Sequence, residues 1–163
     1  ISLKRRRTRM KVLMIYDTVS EQKVTGRVAG IVAAAMNDAG VPVESYFVGD
    51  ARSVSVKDYD CIIVGAPTMA WRPSERMKDF LTSLEGDDIS GKTAATFDTQ
   101  VRSVASGNAT KHMEKSLADL GLRIISPSLI AYVQSENKAY RLKDGEVEKA
   151  QAGGKDLAKA LSK

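Results

Sequence analysis

The amino-acid sequence predicts an α/β domain built on a doubly wound parallel sheet, and three observations support this. Five apolar, β-branched runs alternate with segments whose apolar residues recur at helical spacing, the order that builds a parallel sheet covered on both faces. Runs such as Val-Leu-Met-Ile and Cys-Ile-Ile-Val are continuously apolar, which is typical of strands buried on both faces. The 163 residues suit one domain.

The predicted strands take up the apolar runs in order. They are Lys11–Tyr16, Val41–Val48, Cys61–Gly65, Thr93–Phe97 and Arg123–Ile125, the last continuing past Pro127 into Leu129–Val133. Because crossovers between parallel strands are right-handed, the economical arrangement is a three-layer sandwich with a five-stranded parallel sheet in the order 2-1-3-4-5.

Four helices are predicted between and after these strands. Apolar stripes mark Val24–Ala35, which Gly40 ends, Met77–Leu84 after Pro73-Ser74, Ala109–Leu120 before Gly121, and Val147–Leu161. The crossover at Asp50–Tyr59 is weakly patterned and is expected to hold only a short helix.

Charge and composition exclude several classes of function. All five excess positive charges lie in residues 1–9, which leaves 20 basic and 20 acidic residues in the rest of the chain. We therefore expect residues 1–9 to be a basic tail, disordered or derived from upstream sequence, and residues 10–163 to be one domain that does not bind nucleic acid. The longest apolar stretch, Ile31–Met36, is far shorter than a membrane span, so no membrane partner and a cytoplasmic location are expected.

Soft metal ligands and catalytic bases are scarce. The single cysteine, Cys61, and the single histidine, His112, are too few for a zinc site, an internal disulfide or a convincing Ser-His-Asp arrangement. No metal site and no catalytic side chain is predicted.

The predicted topology places any ligand at the carboxyl ends of the strands, near the point where the strand order reverses. The loops there are Asp17–Lys23, Ala66–Pro73 and Asp98–Gly107. The third strand ends in Gly65-Ala66, so it lacks the carboxylate that a phosphate-accepting receiver domain needs. The first loop also lacks the glycine fingerprint of nicotinamide-binding domains.

The segment that begins Val64-Gly-Ala-Pro-Thr-Met-Ala-Trp-Arg-Pro and continues to a Met-Lys-Asp-Phe-Leu helix resembles the flavodoxin family. The family has Val-Gly-Ser-Pro-Thr-Tyr-x-Gly-x-Pro before a Met-Lys-x-Phe-Leu helix. A second segment, which ends Phe97-Asp-Thr99, is similar to a branch of flavodoxin-like proteins. The resemblance covers Met10–Leu161 and implies a flavodoxin-like fold, non-covalent FMN and electron transfer.

By this resemblance the first loop holds the FMN phosphate. Hydroxyl groups are kept at Thr18 and Ser20, whereas Glu21, Gln22 and Lys23 stand where the family has glycine, asparagine and threonine. The Glu21 carboxylate would repel a phosphate, and Lys23 could offset it.

The second loop is implied to contact the flavin ring through Pro67, Thr68, Met69, Ala70 and Trp71. Trp71 takes the place of the family's glycine. Its ring could stack on the flavin, or it could fold onto a neighbouring helix or a partner surface.

The third loop is implied to flank the other side of the ring. Thr99 and Gln100 could hydrogen-bond pyrimidine atoms, and Arg102 could meet an anionic reduced ring or the phosphate of a nicotinamide donor. The loop has no aromatic residue, although Tyr132 and Tyr140 could edge the site from the last loop. Asp98 is interpreted as a solvated acid at a strand end.

Two functions from different classes remain open at this stage. One is an FMN-binding electron carrier serving a redox protein donor or acceptor, with an FMN-dependent NAD(P)H or quinone reductase as a variant. The other is a flavodoxin-like domain that has lost FMN and acts as a binding or regulatory module. The sequence leaves the oligomeric state open.

Overall fold

The protein folds around one central sheet with two helices on each face. The structure, a computed structural model, describes residues 10–20, 22–69, 72–101, 108–137 and 139–162. Its strands are β1 (Val12–Tyr16), β2 (Val43–Phe47), β3 (Cys61–Pro67), β4 (Thr93–Val101), β5 (Arg123–Ile124), β6 (Leu129–Glu136) and β7 (Ala139–Leu142). Its helices are α1 (Val24–Asp38), α2 (Glu75–Ser83), α3 (Ala109–Asp119) and α4 (Glu146–Leu161).

The strand order is β2-β1-β3-β4-β6-β7, with β5 paired to the first residues of β4. The pairs from β2 to β6 are parallel, which confirms the predicted α/β class and the order 2-1-3-4-5. The predicted fifth strand is divided into β5 and β6 around Pro127, which has no N–H to donate to the ladder. The sequence did not predict β7, which pairs antiparallel with β6 at the edge.

Two apolar layers cover the sheet. On one face α1 and α4 pack through residues such as Val28, Val32 and Leu157. On the other face α2 and α3 pack through residues such as Met77 and Met113. The predicted helices are all present, and the weakly patterned crossover forms two short 3-10 helices, Val48–Ser53 and Val56–Asp58.

Strand β4 extends further than its apolar pattern indicates. The pattern predicts an end at Phe97, whereas the strand runs to Val101 because β3 and β6 supply partners on both sides. Asp98, Thr99 and Gln100 therefore lie within the sheet rather than in a loop after it, which positions them rigidly.

Replacing Gly65 with alanine is expected to lower the free energy of unfolding by about 1–3 kcal/mol. A Cβ at Gly65 would lie 2.0 Å from the Phe97 ring, and that ring is buried in the core. Urea denaturation measures the effect. Gly30 in α1 is the matched control, since a Cβ there meets nothing within 4 Å and alanine should be neutral or stabilising. Equal effects at the two positions would contradict the clash.

Candidate functional site

A cavity of about 460 Å³ opens at the carboxyl ends of β1, β3 and β4. Grooves of similar volume lie between α2 and the 3-10 helices and between α2 and α3, away from this edge. The carboxyl edge is where ligands bind in doubly wound sheets, so this cavity is the candidate site. Its lining residues are Val19, Ser20, Val24, Thr25, Pro67, Thr68, Met69, Thr99, Gln100, Val101, Val133 and Tyr140.

Half of the residues selected from the sequence line this cavity: Ser20, Pro67, Thr68, Met69, Thr99 and Gln100. Thr18, Gln22 and Lys23 lie in the first loop beside it. Ala70, Trp71 and Arg102 fall outside the residues that the structure describes, as does Glu21.

The first loop begins with a fully buried acid that the sequence reasoning did not select. The Asp17 carboxylate accepts from the Arg76 guanidinium, with an Nη2–Oδ1 distance of 2.8 Å and an Nε–Oδ2 distance of 3.2 Å. It also accepts from the Thr18 backbone N–H at 2.8 Å. Arg76 additionally donates to the Thr18 carbonyl and lies over the Phe47 ring. This ion pair ties the first loop to α2.

Two features of the first loop bear on anion binding. Lys23 precedes α1 with φ of 51°, in the left-handed region, so the chain turns sharply there without a side-chain cap on the helix. The Thr18 hydroxyl is buried and has no hydrogen-bond partner among the described residues. A buried hydroxyl in that state is costly unless a ligand or water pairs with it.

The first loop is also tied to the far edge of the sheet. The Gln22 side-chain oxygen accepts from the backbone N–H of Tyr140 on β7 at 3.1 Å. Tyr140 and Val133 complete the cavity wall on this side. Tyr140 was foreseen as an edge residue, but the strand that carries it was not.

The second loop is held against β4 by backbone hydrogen bonds. The Thr68 N–H donates to the Thr99 carbonyl at 2.9 Å, and the backbones of Met69 and Arg72 exchange two hydrogen bonds. The Thr99 hydroxyl pairs with that of Thr25 on α1 at 2.7 Å. Loop, strand and helix therefore present their side chains to the cavity from fixed positions.

Asp98 is not the solvated acid that the sequence suggested. It is fully buried, and its Oδ2 accepts from the Thr68 hydroxyl at 2.7 Å and from the Gln100 amide at 3.0 Å. Burial raises the pKa of Asp98 to about 6, against the lowering effect of hydrogen bonds from Thr68, Gln100 and Ala109. The prediction that Asp98 is solvated was wrong because β4 extends to Val101, which places Asp98 inside the sheet.

The rim of the cavity is apolar. Four side chains that line it, Val19, Met69, Val101 and Tyr140, are large, hydrophobic and between 41% and 49% exposed. Apolar groups at this exposure around a cavity suggest that a flat, partly apolar ligand or a partner covers them.

The described lining of the cavity offers mainly hydrogen-bonding and apolar groups. It contains hydroxyls, one amide and apolar groups, without cysteine, histidine or lysine. No group of three metal-ligating side chains occurs in the part of the chain that the structure describes. The helices of this part include none that is long and apolar enough to span a membrane.

The sequence matches no protein-family model. It is 30% identical over 139 residues to the coenzyme F420H2 oxidase of Methanothermobacter thermautotrophicus, covering 81% of this chain and 33% of that protein. The chain thus spans about a third of the length of the curated relative it matches.

Solved structures share the fold. Oxidised flavodoxin 1 from Bacillus cereus superposes with a TM-score of 0.76 and 24% identity, over 91% of this chain and 97% of that one. The rubredoxin oxygen:oxidoreductase of Desulfovibrio gigas superposes with a TM-score of 0.75 and 20% identity, over 93% of this chain and 36% of that one.

Proposed function

We propose that this chain, which has a flavodoxin-like fold, binds FMN non-covalently in the cavity and transfers electrons for a partner oxidoreductase. The observation that carries this proposal is the cavity itself, which is lined by residues of the first and second loops and of the end of β4, in the segments that the flavodoxin resemblance assigns to the cofactor. The curated relative is an oxidase and the Bacillus cereus protein was solved oxidised, so redox function is consistent with the similar proteins.

The residues present fit the cofactor in two respects. The buried Thr18 hydroxyl without a partner, together with Ser20, Gln22 and Lys23, would hold the phosphate beside the start of α1. The apolar rim, including Met69, would cover the ring.

Other side chains would complete the ring site. Thr68, Thr99 and Gln100 offer polar contacts from β4 and the second loop. Pro67, Ala70, Trp71 and Arg102 belong to the same proposed ring site. When bound, FMN would supply the electron chemistry, while the protein orients the ring and sets its environment.

The proposed partner is a redox protein that donates electrons to this chain or accepts them from it. We further propose that residues 10–163 form one domain and that the protein acts in the cytoplasm. Because the chain matches only a third of its curated relative, that partner could also be another region of one polypeptide. The alternative function, a module without FMN, is favoured by one observation, the acidic Glu21 where the family has glycine.

The absorption spectrum distinguishes the two functions. We expect the protein mixed with excess FMN and then desalted to retain the flavin visible bands and to quench flavin fluorescence. A colourless protein that leaves FMN fluorescence unchanged would contradict the proposal and favour the module.

Replacing Glu21 with glutamine is expected to tighten FMN about tenfold, roughly 1.4 kcal/mol, by removing one negative charge from the phosphate loop. Riboflavin has no phosphate, so its affinity should stay the same. Replacing Glu21 with glycine adds the backbone freedom of the family loop and should tighten FMN at least as much. Fluorescence titration with both ligands measures the effect, and equal changes for both would place Glu21 elsewhere than beside the phosphate.

A further inference from the structure

Asp17 and Asp98 are the two fully buried carboxyl groups of the described chain, and they differ in what compensates their charge. Asp17 has the Arg76 guanidinium at 2.8 Å. Among the described residues, the side chains that donate to the Asp98 carboxylate at hydrogen-bond distance are those of Thr68 and Gln100, and both are neutral. A buried carboxylate without a paired cation favours the protonated form.

Asp98 is one hydrogen bond away from the cavity. Both side chains that donate to its Oδ2, Thr68 and Gln100, line the cavity. Its other oxygen, Oδ1, is buried and has no hydrogen-bond partner among the described residues. The carboxyl group can therefore accept a proton without breaking an ion pair.

The hydrogen bonds of the Thr68 hydroxyl connect the protonation state of Asp98 to the cavity. A hydroxyl has one hydrogen to donate and two lone pairs to accept with. In the structure the Thr68 hydroxyl donates to Asp98 and accepts from the backbone N–H of Ala109 at 3.0 Å. If Asp98 were protonated on Oδ2, it would donate to Thr68, and the Thr68 hydrogen would be released toward the cavity.

We propose that Asp98 takes up a proton when the ligand in the cavity becomes more negative, and that Thr68 then changes from a donor to Asp98 into a donor to the cavity. This rests on the proposed function, since reduction of the bound flavin supplies the negative charge. With dithionite as the reductant, one dithionite ion and two water molecules give two hydrogensulfite ions, two protons and two electrons. The two electrons would reduce the ring, and one of the protons would form the new O–H bond at Asp98.

The surroundings of Asp98 support this response. Burial already raises the pKa of Asp98 to about 6, and a negative charge in the cavity raises this pKa further. On α4 the positive charge of Lys149 acts in the opposite direction and lowers the pKa of Asp98. On α3 the Glu114 carboxylate accepts from the Thr96 hydroxyl of β4 and from the Ser128 hydroxyl.

The test compares proton uptake on reduction in wild type, Asp98→Asn and Glu114→Gln. Glu114→Gln is the matched control, because it also removes a hydrogen-bonded carboxyl beside β4 but lies outside the cavity lining. The two-electron potential of FMN-loaded protein is measured against pH between about 6.5 and 8. We expect wild type and Glu114→Gln to take up more protons per two electrons than Asp98→Asn, with one extra proton as the upper limit. Protons taken up by the ring itself cancel in the comparison.

Infrared difference spectra give a second measurement that does not depend on the variant. Reduced-minus-oxidised spectra of wild type should show a new protonated-carboxyl band that shifts when aspartate is labelled with ¹³C. The same pH slope in Asp98→Asn as in wild type, or no such band in wild type, would overturn the inference alone. Failure of wild type to bind FMN would overturn the proposed function together with it.

Discussion

Replacing Arg76 with methionine is expected to lower the free energy of unfolding by about 3 kcal/mol. The substitution keeps an unbranched apolar stem but leaves the Asp17 carboxylate, which is fully buried, without its cation. Because the Arg76 side chain is itself 53% exposed, water can enter beside the acid, which places the effect at the low end of the range for broken buried pairs. Urea denaturation at neutral pH measures the change.

Two variants separate this charge effect from lost packing. Arg52→Met removes a guanidinium from the same groove without touching Asp17, so it should change stability by less than about 0.5 kcal/mol. Adding Asp17→Asn to Arg76→Met should restore a large part of the loss, because the unpaired charge is then gone. A double variant no more stable than Arg76→Met would show that the loss comes from packing against Phe47.

Replacing Asp98 with asparagine is expected to raise the free energy of unfolding at neutral pH by up to about 3 kcal/mol, whereas Arg76→Met lowers it. Burial raises the pKa of Asp98 from 3.8 to about 6, so between these values the folded state binds a proton that the unfolded state has lost. Stability from this group is therefore fully present below about pH 4 and is lost as the pH rises through about 6. Each pKa unit corresponds to about 1.4 kcal/mol, so a rise in the pKa of Asp98 from 3.8 to about 6 corresponds to about 3 kcal/mol of stability.

The check is a pair of denaturation curves at about pH 4 and pH 7 for wild type and Asp98→Asn. The two proteins should differ clearly at the higher pH and converge at the lower one. Glu114→Gln is again the control, and its difference from wild type should not follow this pattern. A constant difference between Asp98→Asn and wild type at both pH values would mean that Asp98 titrates alike in the folded and unfolded states.

The sequence was sufficient for the parts of the fold that depend on local pattern. Continuous apolar runs predicted β1 and β3, and the stripe that begins at Val24 predicted α1, because burial imposes a period that can be read along the chain. The end of β4 was misplaced because polar residues such as Asp98 and Gln100 interrupt the apolar run. They are strand residues only because neighbouring strands and Thr68 satisfy their polar groups.

The candidate site was predictable where it follows from topology and not where it depends on distant pairs. The rule that ligands meet the carboxyl ends of strands selected the segments that contain Ser20, Thr68 and Thr99, all of which line the cavity. The ion pair between Asp17 and Arg76 joins residues 59 positions apart, and nothing in either local segment indicates it. An acid directly after a buried strand was the one available signal.

The hydrogen bond between Gln22 and the Tyr140 backbone has a consequence for how the chain assembles, since it spans 118 positions. During synthesis β1 and the first loop are made early, whereas β7, which completes the cavity wall, follows nearly the whole sheet. Contacts this distant in sequence form late, after the intervening strands have paired. A nascent chain would therefore have a nearly finished sheet before its ligand site closed, and FMN could stabilise only the last stage of folding.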